Sequence, residues 1–174
     1  QKFLRQYDLQ YNKVASAMLT KDDLLQEIAS ERRYTYIATG MSIMEEIDHA
    51  VEIFEKAGCP YELMHCNSTY PMPAEDANLK LIHVLANRYH CRVGYSGHEE
   101  GTLVSALAVA AGASSIERHI TMDKAMYGSD QKASIEPYEL CRLVKDIRDA
   151  EKMMGTGEKI LTEAEALIRR KLRG

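Results

Sequence analysis

Two histidines stand at corresponding places in this sequence. His98 closes the run CRVGYSGH, and His119 closes the run SSIERH. A stretch of small and apolar residues with helical character, GTLVSALAVAAGA, lies between them. Each histidine therefore falls at the C-terminal end of a predicted strand, and one helix joins the two strands. Neighbouring parallel strands lie about 4.8 Å apart, so both imidazoles can reach one ion at the same edge of a parallel sheet. In α/β folds that edge is where ligands bind. Two neutral imidazoles leave open positions on a divalent ion, which can then polarise a carbonyl as a Lewis acid.

The other strand ends carry polar types as well. The first predicted strand ends in Lys13 and Ser16, the second in Thr39 and Ser42, the third in Asn67, Ser68 and Tyr70. The fourth adds Ser96 beside His98, and the fifth adds Glu117 beside His119. One lysine with several hydroxyls and loop amides suits a phosphorylated substrate. Lysine supplies a point charge, and hydroxyl and N–H groups supply directed hydrogen bonds. His49, His83 and His90 fall in or beside helices and receive no role, and Cys66 reads as a small buried hydrophobe.

Five βα units must position these groups. The spacing predicts strands at 12–16, 34–38, 61–66, 92–95 and 114–119. Thr20 is the expected N-cap of the first helix, with Asp22 and Asp23 in its first turn. Ser42 is the expected cap of the second, with Glu45 at the capping-box position, and Gly58 is its terminator. A third helix is expected at 79–88. The last long helix opens near Pro137 and turns Leu140, Leu143, Val144, Ile147 and Ala150 inward. A short basic helix closes the chain. Unbroken β-α alternation predicts a parallel sheet, either doubly wound or a (β/α)₈ TIM-type barrel. No Gly-x-Gly-x-x-Gly follows a strand, so a dinucleotide fold lacks its main cue. A barrel has eight strands and about 250 residues; on that reading five units are its last five-eighths, with open edges at either side.

The 174 residues, 45% hydrophobic, suffice for one domain with a core. A net charge of −4 without a dense basic block argues against nucleic-acid binding. No apolar run is long enough to span a membrane. The first ten residues do not read as a signal peptide. Cys59, Cys66, Cys91 and Cys141 form no CxxC pair, which fits free thiols in a reducing, cytoplasmic compartment.

Seven pieces in order carry a family resemblance: Lys13-Val-Ala-Ser16, Thr39-Gly40-Met41-Ser42, His65-Cys-Asn-Ser68-Thr-Tyr70-Pro71, Gly94-Tyr-Ser-Gly-His98, Glu117-Arg-His119, Gly128-Ser-Asp130 and Ala-Ser-Ile-Glu-Pro137. Together they make the chain resemble the sialic acid synthases, which condense phosphoenolpyruvate with N-acetylmannosamine to a nine-carbon sialic acid and release phosphate. The resemblance runs from about Leu4 to Arg173.

It implies a (β/α)₈ catalytic barrel of which this chain is the C-terminal part. The family's first three βα units and its C-terminal antifreeze-like domain, which reaches across a homodimer, have no counterpart in these residues. His98 and His119 are implied as ligands of Mn²⁺ or Mg²⁺. Lys13, Ser16, Ser68 and Ser96 are implied to hold phosphoenolpyruvate, and Tyr70 and Asp130 the amino sugar. Glu117 is implied to orient water or carry a proton, which makes Glu117 and Lys13 the catalytic candidates. Three positions depart from patterns within the family: Met18 where some members have an acidic residue, Ala38 where many have serine, and Gly97 where one branch has aspartate. The alternatives are a synthase for a related nine-carbon acid made from a diacetamido sugar, and a truncated barrel without catalysis.

Overall fold

The computed structural model describes all residues, Gln1–Gly174. Its strands are β1 (Tyr11–Val14), β2 (Tyr34–Ala38), β3 (Tyr61–His65), β4 (Val93–Gly97) and β5 (Ile116–Arg118). Its helices are α1 (Asp22–Ser30), α2 (Met44–Ala57), α3 (Lys80–Tyr89), α4 (Leu103–Ala110), α5 (Pro137–Met154) and α6 (Glu163–Arg173). The first ten residues hold one turn of 3₁₀ helix, Leu4–Gln6.

All neighbouring strands pair in parallel, in the order β1-β2-β3-β4-β5. A doubly wound sheet reverses its strand order at a switch point; this one does not. The core lies on one face. There Val14, Ile37, Leu63, Val93 and Tyr95 pack against Leu25 and Ile28 of α1, Ile47 and Phe54 of α2, Leu85 of α3 and Ala108 of α4. The other face is concave and carries a small separate cluster of Ala38, Met64 and Cys66 with Tyr36 against it.

One contact measures the curvature. Lys13 on β1 bonds Glu117 on β5, with its Nζ 2.8 Å from Oε2. In a flat sheet these strands would lie about 19 Å apart, four spacings of about 4.8 Å. The two side chains together cannot span that gap, so the sheet is strongly curled. The five strands form an α/β half-barrel with β1 and β5 as its edges.

Several helix ends differ from the sequence reading. The N-cap of α1 is Lys21, not Thr20. The N-cap of α2 is Ile43, not Ser42, and Glu46 rather than Glu45 accepts from its backbone N–H at 3.0 Å. The Ser42 hydroxyl instead donates to the Gly40 carbonyl at 3.2 Å and closes the turn after β2. Gly58, at φ 61°, ends α2 as expected.

The inward stripe expected on α5 is only partly buried. Leu143 is 2% exposed, but Leu140 and Val144 are 37% and 47% exposed. They line an apolar groove of about 480 Å³ with Ile147, Ile116, Tyr36 and Met64. The stripe runs past the flank of β5, where no further strand of this chain lies beneath it. No helix is long and apolar enough to cross a membrane.

Candidate functional site

The strand ends converge on one cavity of about 340 Å³ at the C-terminal edge of the sheet. Its walls include Lys13, Ser16, Ser68, Tyr70, Ser96, His98, Glu117 and His119, eight of the nine residues singled out from sequence. Asp130, the ninth, sits at the rim on the loop after β5, its Oδ2 3.7 Å from His119 Nδ1. Side chains alternate across a strand. The same alternation that sends Val14, Ile37 and Leu63 into the core sends Lys13, Ala38 and Met64 to the concave face.

The two imidazole centroids lie 5.3 Å apart with the rings at 68°. His98 Nδ1 is 2.6 Å from the Asn67 carbonyl oxygen. A carbonyl only accepts, so Nδ1 carries the hydrogen and Nε2 keeps its lone pair free. Burial pushes His98 below the ordinary value of 6.5; the nearby His119 acts the same way and the Asn67 carbonyl opposes. Neutral His98 with its tautomer set by a carbonyl is the form that ligates a metal. No cluster of three or more His, Cys, Asp or Glu side chains is placed to hold an ion. Two imidazoles by themselves could hold a divalent ion only with further ligands from water or substrate, not as a closed structural site. The ring of Tyr70 packs over both histidines, at 4.2 Å from His98 and 5.5 Å from His119.

On the other side of the cavity Lys13 and Glu117 form a two-pronged pair, Nζ to Oε1 at 2.9 Å and to Oε2 at 2.8 Å. The Ser96 hydroxyl donates to Glu117 Oε1 at 3.0 Å. The sequence reading treated Lys13 and Glu117 as separate groups; the curl of the sheet makes them partners. Beside them the Gly40 N–H donates to Ser16 Oγ at 3.1 Å. Ser68 Oγ is buried and has no partner. A Cβ on Gly40 would sit 2.2 Å from Ser68 Oγ and 2.8 Å from Ser16 Oγ, so only glycine lets these hydroxyls converge. Cys66 is buried beside them with its Sγ 3.3 Å from Ser16 Oγ, and burial pushes the thiol up.

Two charged residues escaped the sequence reading, Arg118 inside the Glu117-Arg-His119 motif and Glu99 just past the Gly94–His98 motif. Arg118 and Glu99 face away from the cavity, and their side chains are 2% and 1% exposed. Alternation was the available signal. Arg118 sits between two inward residues, so it must point into the core, where a charge needs a partner. His65 ends β3 yet also turns away from the cavity, and its Nε2–H donates to the Ala77 carbonyl at 2.8 Å.

Burial holds His65 below 6.5, against the pull of the Ala77 carbonyl. Below pH 6.5 the unfolded chain therefore binds the proton more readily than the folded one. Stability is expected to be flat above 6.5 and to fall as pH drops towards the folded value, by at most about 1.4 kcal/mol per pH unit for one proton. Urea melts from pH 7.5 to 5 should show this slope, and His65→Gln, which keeps a donor, should reduce it. An unchanged slope would remove His65 as its source.

The NeuB family model matches residues 1–159. N,N'-diacetyllegionaminic acid synthase of Legionella pneumophila is 40% identical over 173 residues, covering 92% of this chain and 48% of that protein. N-acetylneuraminate-9-phosphate synthase of Mus musculus is 36% identical over 171 residues, covering 98% of this chain and 48% of that protein. Among solved structures, the N-acetylneuraminic acid synthetase of Leptospira borgpetersenii in complex with citrate superposes with a TM-score of 0.89. It is 35% identical, and the match covers 99% of this chain and 61% of that one. The chain spans about half the length of the curated relatives it matches. With nearly its whole length matched in sequence and its half-barrel matched in space, the chain belongs to the NeuB family.

Proposed function

We propose that this chain supplies most of the active site of a synthase. Its reaction joins phosphoenolpyruvate to the aldehyde of an N-acylated amino sugar, N-acetylmannosamine first, and gives a nine-carbon sialic acid and phosphate. The observation that carries this reading is the shared cavity. A lysine, three serine hydroxyls, a carboxylate and two imidazoles meet at the C-terminal ends of parallel strands in a chain whose relatives are named synthases of sialic-type acids.

In this reading Lys13 faces the phosphate. Its ammonium has three donors, so it can bind a phosphate oxygen while still bonded to Glu117. The Ser16 and Ser68 hydroxyls, crowded together by Gly40, take the remaining phosphate or carboxylate oxygens, and the unpaired Ser68 Oγ gains the partner it lacks. Tyr70 and Asp130 hold the sugar at the rim. His98 and His119 would hold Mn²⁺ or Mg²⁺, which would supply Lewis-acid polarisation of a carbonyl.

Carbon 3 of phosphoenolpyruvate bonds to the aldehyde carbon, whose oxygen takes up a proton; water adds at carbon 2 and loses a proton. The bond from carbon 2 to the phosphate oxygen then breaks, and the added hydroxyl gives up its proton to form the ketone as phosphate leaves. Glu117, held by Lys13 and Ser96, is placed to take a proton from that water. The protein's work is positioning and charge stabilisation. The full-length protein acts in the cytoplasm as a homodimer.

The test is phosphate release by the full-length protein with phosphoenolpyruvate and, in turn, N-acetylmannosamine, its 6-phosphate and a diacetamido hexose, each with and without Mn²⁺. Metal-dependent release with N-acetylmannosamine is expected. Release with the diacetamido sugar alone would move the protein to the related acids, and no release with any sugar would end the synthase reading.

A further inference from the structure

We propose that Glu99 and Arg118 form a positioning clamp that sets the separation of His98 and His119 from behind the sheet; this rests on the reading of those histidines as metal ligands. The ladder between β4 and β5 runs Tyr95↔Ile116, Ser96↔Glu117 and Gly97↔Arg118, and there it ends. The next pair in register is His98 and His119. Both histidines therefore lie one residue past the last paired position, where strands ordinarily splay.

The clamp takes over at that point. Arg118 Nη1 donates to Glu99 Oε1 at 2.9 Å, and Nη2 donates to the Glu99 backbone carbonyl at 2.7 Å. One side chain thus grips both the carboxylate and the main chain of the residue after His98. It is itself the residue before His119, so each end of the clamp is covalently next to one imidazole.

Further bonds fix the clamp. Nη1 also donates to the Gly101 carbonyl at 2.7 Å and to Ser105 Oγ at 3.1 Å, and Nη2 to the Ala133 carbonyl at 3.2 Å. Glu99 accepts from Tyr95 OH at 3.1 Å, from Ser105 Oγ at 2.6 Å and from Ser105 N at 3.2 Å. The Ala133 bond reaches the loop that carries Asp130, whose carboxylate faces His119. From the other side, Met72 N–H donates to the His98 carbonyl at 2.9 Å.

Gly97 is an independent mark of the same device. A Cβ there would lie 2.5 Å from Glu99 Oε2 and 2.9 Å from Arg118 Cδ. A larger residue before the first histidine would therefore press on the clamp, and its side chains would have to shift.

A buried ion pair is poor evidence for stability, because replacing both partners is often neutral. Positioning and stability can thus be separated. The test uses the full-length protein with Glu99→Gln/Arg118→Met, which removes both charges together. Mn²⁺ affinity is read without substrate from the electron-spin-resonance signal of free Mn²⁺, beside the melting temperature and kcat and KM for phosphoenolpyruvate.

The expected result is a folded protein whose Mn²⁺ dissociation constant rises 10- to 100-fold, the range for groups that orient ligands. kcat should fall about as much, while KM for phosphoenolpyruvate, bound on the far side near Lys13, stays within threefold. A folded variant with Mn²⁺ affinity within twofold of the parent overturns the proposal. Should the double variant fail to fold, Arg118→Lys, which keeps the charge but cannot grip both the carboxylate and the carbonyl, decides on the same readout. His98→Ala is the control: unchanged Mn²⁺ affinity there overturns the metal reading itself, whereas lost affinity there with none lost in the clamp variants overturns the clamp alone.

Discussion

Alanine at His98 or at His119 is expected to lower metal-dependent turnover of the full-length protein by roughly 10³-fold while the protein stays folded. The magnitude follows from the several kcal/mol that a Lewis acid contributes at a developing oxyanion, with each 1.36 kcal/mol worth tenfold in rate. Removing either imidazole leaves a single protein ligand, and no third carboxylate, thiol or imidazole is placed to take over. Folding should survive because both rings border an open cavity rather than the core between sheet and helices. A pH signature accompanies this. Protonated imidazole cannot ligate, so Mn²⁺ affinity should fall on acidification. Burial keeps His98 neutral further into acid than a free histidine, so the part of the loss that comes from His98 should fall below pH 6.5. Calorimetric titration with Mn²⁺ between pH 8 and 5.5 reads both effects. Near-parental Mn²⁺-dependent rates in either alanine variant would remove that histidine from the site.

Lys13→Ala should raise KM for phosphoenolpyruvate by about 30-fold and change KM for the sugar by less than about threefold. A desolvated charge pair is worth roughly 2–5 kcal/mol. The Lys13 side chain is 36% exposed, which places it at the low end, and about 2 kcal/mol corresponds to about 30-fold. Two effects act together in the variant. The phosphate loses a cation, and the Glu117 carboxylate, 2.8 Å from the lysine nitrogen, loses its neutralising partner and repels the incoming anion. Glu117→Gln in the Lys13→Ala background separates them: it should recover part of the phosphoenolpyruvate affinity and none of the rate, if Glu117 takes the proton from water. Equal losses for both substrates would show that Lys13 supports the site without touching the phosphate.

The parts of this molecule legible in the sequence are those that depend on neighbours along the chain. Alternating apolar positions and turn signals located all five strands and the main helices, because burial on a pleated strand repeats every two residues and on a helix every 3.6. The same periodicity placed a polar group at every strand end. Boundaries were less legible. Ser42 and Thr20 are good N-cap types, yet Ile43 and Lys21 hold those positions. The turn after β2 engages the Ser42 hydroxyl with the Gly40 carbonyl instead, and a cap is worth only about 1 kcal/mol, so tertiary constraint overrides it.

Residue order alone determined that the chain alternates β and α, and which side chains stand at strand ends. The tertiary structure decided what those side chains do to one another. Lys13 and Glu117 are 104 residues apart and became a pair only because the sheet curls until its edge strands face. Arg118 lies inside a motif that was plain to see and Glu99 directly follows another, but their pairing behind the sheet depends on which way successive residues turn. The crowding at Gly40 came from Ser16 and Ser68, distant in sequence, and that at Gly97 from Arg118 as well as its own neighbours Tyr95 and Glu99. Local pattern reports the face and phase of a residue; contacts across a curved sheet depend on the distance between strands, which no window of sequence contains.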